Sequence, residues 1–409
     1  MSDSSRTRLT FRYELWRATT AGILESAGST FLLLIALRWY GAGAFAKAFV
    51  AAGGSVGLLI SPVVVQVTTR LQWPASRAAS MVLALGAVLF LISALCPIFE
   101  VYVACSVGGM ATSAAIIPLL THMYQENYPE QQRGRLFSRT VMLRIGSTAL
   151  FSEWAGNWLT GNLGRYRMVL GIFALGLAFA SYCLSRCPTT PISMEEGAHP
   201  LRSLRFIKED ALFRRTLICW MLMGFANLMM LPLRVEYLGN PRYHQELTVG
   251  TIALLTGVIP NLARLVLSPI WGYLFDHMNF FALRVTLNIG FAIGILTFFM
   301  TGTMPGMICG AIVFGISNAG GDVAWSLWVT KFAPPERVAD YMAIHTSLTG
   351  LRGVLAPLVA FYIATRLPLG TVALMSSALI GLATLLLIPE IRLGKGGRLK
   401  PALTEEVSD

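Results

Sequence analysis

Five ionisable side chains interrupt long apolar stretches of the chain, where a charge is costly and requires a partner or a function. On insertion scales each such charge costs about 2.5–3.5 kcal/mol at the centre of a bilayer. Carboxylates in such surroundings can take up and release protons, and guanidinium groups bind oxyanions through paired donors. The five residues are Glu25, Arg144, Arg264, Asp322 and Arg352.

The positions of these five residues predict one polar site. Counted along the apolar stretches at about 1.5 Å per residue, all five lie near the membrane midplane or within a few turns of its cytoplasmic side. In the eighth stretch, Asn261, Arg264 and Ser268 recur at a spacing that places them on one helix face. We predict proton-coupling roles for Glu25 and Asp322. The predicted solute contacts are Arg144, Arg264, Arg352, Asn227 and Asn261.

Internal charge pairing is the alternative interpretation of the same residues. In that case Glu25 pairs with Arg144, and Asp322 pairs with Arg352. Pairing and proton coupling are compatible, because protonating the acid would release its arginine.

The composition indicates that these charges belong to a membrane protein. Hydrophobic residues make up 55% of the 409 residues and charged residues only 13%, against about 25% charged residues in a soluble domain. Apolar runs of about 20 residues cross a bilayer as helices. Twelve such runs occur, at residues 18–38, 46–68, 78–96, 99–124, 137–160, 168–186, 214–238, 248–275, 284–303, 305–331, 341–366 and 370–391.

The distribution of basic residues predicts the orientation of these spans. Lys and Arg number 32 against 21 Asp and Glu, a formal net charge of +11. Most of the basic residues lie in short loops on the side that carries both termini, which is the cytoplasmic side of membrane proteins. We therefore predict a multi-pass protein of the cell (inner) membrane, with both termini cytoplasmic and anionic lipids as partners. Charge spread over short loops in this way excludes a nucleic-acid partner.

The longest polar stretch, residues 187–215, divides the spans into six and six. Ser61-Pro62 recurs as Ser268-Pro269, and Arg77 recurs as Arg284, at equivalent places in the two halves. Such repeats are typical of transporters. The predicted organisation is a cytoplasmic N-terminal segment at 1–17, a six-helix bundle at 18–186, a cytoplasmic central loop with an interfacial helix at 187–213, a second six-helix bundle at 214–391 and a cytoplasmic tail at 392–409.

Three loop motifs carry a resemblance to a known family. They are Gly272-Tyr-Leu-Phe-Asp276 followed by Arg284, Pro129-Glu130-Gln-Gln-Arg133-Gly134-Arg135 after span four, and Pro334-Pro335-Glu336-Arg337 after span ten. With these motifs the chain resembles the major facilitator superfamily over nearly its whole length. The resemblance implies an all-α membrane protein with twelve transmembrane helices in two pseudo-symmetric six-helix bundles, and a monomer. It also implies a cytoplasmic gate formed by Gly272, Asp276, Arg284, Arg133 and Arg337.

The chain departs from the family after span two. Val65 and Thr69 stand where the family usually has Gly and Asp. The resemblance therefore supports the second-half gate better than its first-half counterpart.

These observations predict a secondary transporter that moves a small solute by alternating access. The leading hypothesis couples it to protons and gives it a solute with an anionic or carboxylate group. The chain has no nucleotide-binding loop, catalytic motif or metal cluster, so we expect neither an enzyme nor a cofactor. One alternative is an exporter of amphipathic or toxic compounds, suggested by the methionines of span seven. Another is a membrane receptor or scaffold that keeps the fold without transporting.

Overall fold

The computed structural model describes residues 3–191, 205–245, 247–328 and 338–394, and over these residues the chain forms twelve long helices. In the first half they are α1 at 3–38, α2 at Ala44–Arg70, α3 at Ala75–Leu95, α4 at Phe99–Ala115 and Ile117–Asn127, α5 at Glu130–Gly161 and α6 at Tyr166–Ser185. In the second half they are α7 at Ala211–Gly239, α8 at 249–277, α9 at Phe280–Met300, α10 at Met304–Leu327, α11 at Val338–Ala364 and α12 at Leu369–Gly394.

Eleven of the described helices are long and apolar enough to cross a membrane by composition alone. The exception is α5, which is 32 residues long but carries Arg133, Arg135, Arg139 and Arg144 along its first half. It packs between α1 and α8, so part of its polar surface faces other helices. The predicted twelve-helix fold is therefore confirmed. Helix α5 is the one whose position depends on packing against other helices rather than on an apolar composition.

The helices form two bundles of six, and each helix of the first bundle packs like the helix six places later in the second bundle. In the first bundle α1 packs against α5 and α6, α2 packs against α4, and α3 packs against α4 and α6. In the second bundle α7 packs against α11 and α12, α8 packs against α10, and α9 packs against α10 and α12. Between the bundles α2 meets α11, α5 meets α8, and α1 meets α7. The two halves are thus pseudo-symmetric copies of one arrangement.

The bundles meet closely at one end, called here the outer end, where α1 and α7 finish. Arg38 of α1 donates hydrogen bonds of 2.8 Å to the carbonyl oxygens of Gly239 and Leu247. On α5 and α8, a Cβ atom added to Gly156 would stand only 2.5 Å from the Cβ of Ala253. Only a residue without a side chain allows this approach, and the contact seals the outer end.

The opposite, inner end is where α1 and α7 begin, on the side predicted to be cytoplasmic. Here the surroundings of α8 are open: a Cβ atom added to Gly272 would meet no heavy atom within 4 Å. The bundles are therefore in close contact at the outer end, whereas the position of Gly272 at the inner end makes no such contact.

Two predicted boundaries at the inner end differ from the structure. Helix α1 begins at Asp3 rather than at residue 18, and its first turns are tied to α4 by the Arg6–Glu126 ion pair at 2.5 Å. An interfacial helix was predicted toward the end of the central loop. Within the described residues a short helix spans Arg205–Glu209, after which Asp210 caps α7 by accepting a 2.9 Å hydrogen bond from the Phe213 amide. The preceding residues 192–204 lie outside the described part of the chain.

Candidate functional site

The centre of the site is Arg264 on α8, which contacts carboxylates from both bundles. Its Nη1 atom donates to Oε1 of Glu25 on α1, and its Nε atom donates to Oδ2 of Asp322 on α10. Glu25 belongs to the first bundle, whereas Arg264 and Asp322 belong to the second. The Arg264 guanidinium group therefore forms two ion pairs: one with Asp322 inside the second bundle and one with Glu25 across the interface between the bundles.

Arg144 on α5 completes a four-charge cluster. Its Nε atom lies 3.1 Å from Oε2 of Glu25, so this carboxylate stands between two guanidinium groups. The cluster holds two acids and two arginines and is formally neutral. The side chains of Glu25, Arg144 and Asp322 are 29%, 36% and 37% exposed, whereas that of Arg264 is 5% exposed. Water thus reaches the carboxylates while the bridging arginine is covered.

The position of Arg264 is set by the residues before it on α8. Asn261 accepts a 3.2 Å hydrogen bond from Arg264 Nη1 and donates a 2.7 Å hydrogen bond to the carbonyl oxygen of Gly257. Gly257 lies in a π-helical turn, Leu254–Val258. Such turns release a backbone carbonyl from the regular helix pattern and are frequent at functional sites. Asn261 was predicted to contact solute, but its amide is already used to orient the arginine.

A second π-helical turn lies opposite the first, at Ala27–Phe31 of α1, directly after Glu25 and Ser26. The Oγ1 atoms of Thr30 and Thr256, one from each turn, are 2.8 Å apart across the bundle interface. The two turns therefore touch just beyond the charge cluster on its outer side. Sequence reasoning missed both turns, and only the glycines within them, Gly28 and Gly257, hint at irregular backbone.

Arg352 does not pair with Asp322, contrary to the pairing considered from the sequence. Its Nη1 atom instead donates to the carbonyl oxygen of Trp220 on α7. The side chain is buried and fills the space beside Gly224, where an added Cβ would overlap Arg352 Nη1. The partner prediction failed because Arg352 projects into its own bundle. Its predicted role as a solute contact therefore loses its geometric basis.

Two further basic side chains pack against the ring of Trp220. The guanidinium carbon of Arg284 lies 3.6 Å from its ring centroid, and the ring of His345 lies 5.3 Å away. Both side chains are buried. This inner part of the second bundle is held by cation–π and ring contacts, which the sequence alone did not predict.

The predicted gate residues are apart in this conformation. Asp276 is exposed, whereas Arg284 is buried against Trp220, so these two described residues do not pair. Arg133 donates to the carbonyl oxygens of Gln125 at 3.1 Å and Tyr128 at 3.4 Å, where it caps the end of α4. Arg337 lies outside the described residues. Their role as a gate in the closed inner end stays a prediction.

Asn227 on α7 is partly exposed, and its Oδ1 atom has no hydrogen-bond partner among the described residues. The Oδ1 atom itself is buried, although other atoms of the residue are exposed. Within the same described ranges, no group of three or more His, Cys, Asp and Glu side chains is arranged to hold a metal ion.

The family model of the Major Facilitator Superfamily matches residues 75–357. The chain belongs to the Major Facilitator Superfamily. It is accordingly an integral, multi-pass membrane transporter of small solutes and not an enzyme. No curated protein sequence matches the chain significantly.

Solved structures with the same fold include several transporters. The nucleoside transporter NupG aligns with a TM-score of 0.70 at 13% identity, over 95% of this chain and 99% of that one. A D-xylose-proton symporter aligns with a TM-score of 0.65 at 17% identity, over 94% and 97%. A bacterial homolog of the human lysosomal transporter Spinster, in an inward-facing conformation, aligns with a TM-score of 0.67 at 12% identity, over 98% and 99%. At these identities the likeness concerns the fold of this superfamily member.

Proposed function

We propose that this superfamily member is a proton-coupled transporter of a small polar solute, in which Glu25 and Asp322 carry the proton. The observation that supports the proposal is the contact of Arg264 with one carboxylate from each bundle. Both carboxylates are about one-third exposed, so protons from solution reach them. A titratable ion pair across the bundle interface links protonation directly to the motion that alternating access requires.

The proposed coupling works through the Glu25–Arg264 ion pair. With both acids ionised, the pair holds α1 against α8 at the level of the site. Protonating Glu25 removes this attraction and leaves Arg144 and Arg264 with excess positive charge. A solute bearing an anionic group then binds where the negative charge was lost, so proton and solute are carried together.

Arg144 and Asn227 are the proposed solute contacts. The Arg144 side chain is more than one-third exposed and approaches Glu25 through Nε. Guanidinium groups match carboxylates and other oxyanions with paired donors. Asn227 has a buried Oδ1 atom without a hydrogen-bond partner among the described residues, and this atom would accept a donor on the solute once the neighbouring side chains move to admit it. Arg264 and Asn261 serve in this proposal as positioning residues, because their polar atoms already have partners.

A binding screen first identifies a solute. Thermal-shift measurements on the purified protein are made against a solute library at several pH values, because ligands stabilise the state they bind.

A transport experiment then separates coupling from binding. In proteoliposomes, Glu25→Gln and Asp322→Asn should abolish accumulation driven by a pH gradient while solute exchange continues. Glu153→Gln is the control, because this exposed acid of α5 accepts a hydrogen bond from Asn157 of its own helix and lies outside the charge cluster. Normal gradient-driven accumulation in both central variants would overturn the coupling.

The proposed exporter function has less support. It rested on methionines of α7, of which Met223, Met229 and Met230 are buried in helix packing and do not line an open cavity. The receptor hypothesis is decided by the same reconstitution, since a protein that binds a solute but never exchanges it is not a transporter.

A further inference from the structure

Four aromatic side chains form a cluster at the inner end of the first bundle, where the first turns of α1 meet the last turns of α6. They are Tyr13 and Trp16 of α1 and Phe179 and Tyr182 of α6, and each ring has two neighbours in the set at centroid distances of 5.4 to 6.4 Å. Trp16, Phe179 and Tyr182 are each at least 40% exposed. The large contacts of α6 are with α1 and α3 of its own bundle, so the exposed rings lie on the periphery of this bundle, where lipid surrounds the protein.

Two arginines lie over the ends of this aromatic cluster. The guanidinium carbon of Arg12 is 4.9 Å from the ring centroid of Trp16, and that of Arg186 is 5.1 Å from the ring centroid of Tyr182. A guanidinium group that lies over a ring keeps its N–H donors at its edge, in its own plane. Both arginines are exposed. They are therefore oriented by the rings and still able to bind an oxyanion.

No carboxylate of the described residues neutralises these two arginines. The acid nearest to Arg12 in sequence is Glu14, which is buried. Its carboxylate oxygens accept hydrogen bonds from Arg17 at 2.7 and 2.8 Å and from the hydroxyl of Tyr124. Arg12 and Arg186 thus leave two positive charges uncompensated by protein at the edge of an exposed aromatic surface.

The exposed face of α6 changes character in a fixed order toward the inner end. Leu175, Phe179, Tyr182 and Arg186 recur on this face at helical spacing, and all four residues are exposed. At about 1.5 Å per residue they span about 16 Å along the helix. The sequence from apolar to aromatic to basic matches the acyl chains, the glycerol region and the phosphate of a phospholipid, and aromatic residues favour the headgroup level of a bilayer. The order of ring and arginine recurs on α1.

We propose that the α1–α6 aromatic face, formed by Arg12, Trp16, Phe179, Tyr182 and Arg186, binds one anionic phospholipid of the inner leaflet. The two arginines bind the phosphate, and the exposed rings pack against the upper acyl chains. A free phosphate has nothing to place on the rings. A zwitterionic lipid carries its own cation beside the phosphate, so it leaves the charge of the arginines uncompensated. This site does not depend on the proposed coupling through the charge cluster.

The test measures lipid binding to the full chain in detergent by native mass spectrometry. Phosphatidylglycerol and phosphatidylcholine with the same acyl chains are titrated separately. The wild type should retain one phosphatidylglycerol molecule at concentrations at which phosphatidylcholine is lost. Arg12→Gln with Arg186→Gln should weaken phosphatidylglycerol binding at least roughly tenfold, because each arginine near a membrane surface contributes several-fold to the affinity for anionic lipid.

The matched control removes the same charge elsewhere at the inner end. Arg135→Gln with Arg139→Gln, at two exposed arginines of α5, should leave the affinity unchanged. An excess of glycerol 3-phosphate should not displace the bound lipid, because it lacks acyl chains. An unchanged affinity in Arg12→Gln with Arg186→Gln, an equal loss in both double variants, or displacement by glycerol 3-phosphate would overturn the proposal.

A second measurement uses the wild type, so it remains decisive if the double variant at Arg12 and Arg186 fails to fold. A phosphatidylglycerol analogue with a photoreactive group near the start of one acyl chain is incorporated in trace amounts into phosphatidylcholine vesicles that contain the protein. After illumination, peptides of residues 8–19 and 175–186 should carry the modification. Modification confined to peptides of other helices would reject the α1–α6 aromatic face as the binding site.

Discussion

Lys47 of α2 and Glu236 of α7 form a buried ion pair that joins the two bundles at the outer end. The distance from Nζ to Oε1 is 2.7 Å, and the side chains are 9% and 5% exposed. Asn240 donates to the same Glu236 oxygen, and the ammonium group of Lys47 also lies over the ring of Phe361. Alternating access requires the outer end to open, and opening it must separate this pair.

The first prediction concerns this pair. Glu236→Gln keeps the side-chain shape but removes its charge, so it should favour conformations with an open outer end. Removing one partner of a buried pair costs about 3–5 kcal/mol. Opening of the outer end is detected by maleimide labelling of the variant Ser152→Cys. Ser152 is buried at the outer contact of α5 with α8, next to Gly257.

An impermeant maleimide should label this reporter at least about tenfold faster in Glu236→Gln, since each factor of ten needs only about 1.4 kcal/mol. The labelling is compared in a background in which exposed Cys309 is replaced by Ser. Glu153→Gln, an exposed neutralisation on α5, should leave the rate unchanged. An unchanged rate in Glu236→Gln would show that the pair does not hold the outer end shut.

The second prediction concerns the charge balance at Arg264. Arg264→Gln leaves Glu25 and Asp322 facing each other without their shared cation, so stability should fall. The loss should be less than the about 3–5 kcal/mol of a fully buried pair, because both acids are partly solvated. Adding Glu25→Gln and Asp322→Asn should restore much of the stability, and a double-mutant cycle in thermal unfolding measures this coupling. Additive losses would contradict a shared network.

Eleven of the twelve long helices follow from local properties of the described sequence, and this part of the fold could be predicted. The length of each apolar run sets one span, and the basic loops set the ends. The start of α1 was harder to predict from the sequence. Residues 3–17 are too polar to look like a span, and they are helical because they extend α1 and pack on α4 through contacts such as Arg6–Glu126.

The residues of the charge cluster could also be predicted, but only one of their pairings could. A lone charge in an apolar run is visible in sequence, whereas a partner depends on the rotation of each helix about its axis. Glu25 pairs with Arg144 as considered, but Asp322 meets Arg264 rather than Arg352. The π-helical turns at Ala27–Phe31 and Leu254–Val258 shift the side-chain register near the site, and apart from one glycine in each turn the sequence gives no sign of them.

The third prediction separates folding from transport at Gly272. A methyl group there meets nothing within 4 Å in this conformation, so Gly272→Ala should leave the unfolding temperature unchanged. When the inner end closes, α8 must approach another helix, and the added methyl group should obstruct that approach. Transport should therefore fall several-fold. Gly381→Ala on α12, which also has open space around it, is the matched control and should transport normally. Equal transport by both variants would argue against a closing contact at Gly272.

The fourth prediction concerns Cys187, which follows α6 at the inner end and lies outside the spans. Its thiol is buried, and burial, reinforced by the nearby negative charge of Glu14, raises its pKa to about 12. The thiolate is the reactive form, so at neutral pH this residue holds roughly three-thousandfold less of it than an ordinary cysteine with a pKa of about 8.5. Maleimide labelling followed by mass spectrometry should find Cys187 unmodified in the folded protein and modified after denaturation. Rapid labelling in the folded state would mean that the packing of the first turns of α1 against α4 and α6 opens readily.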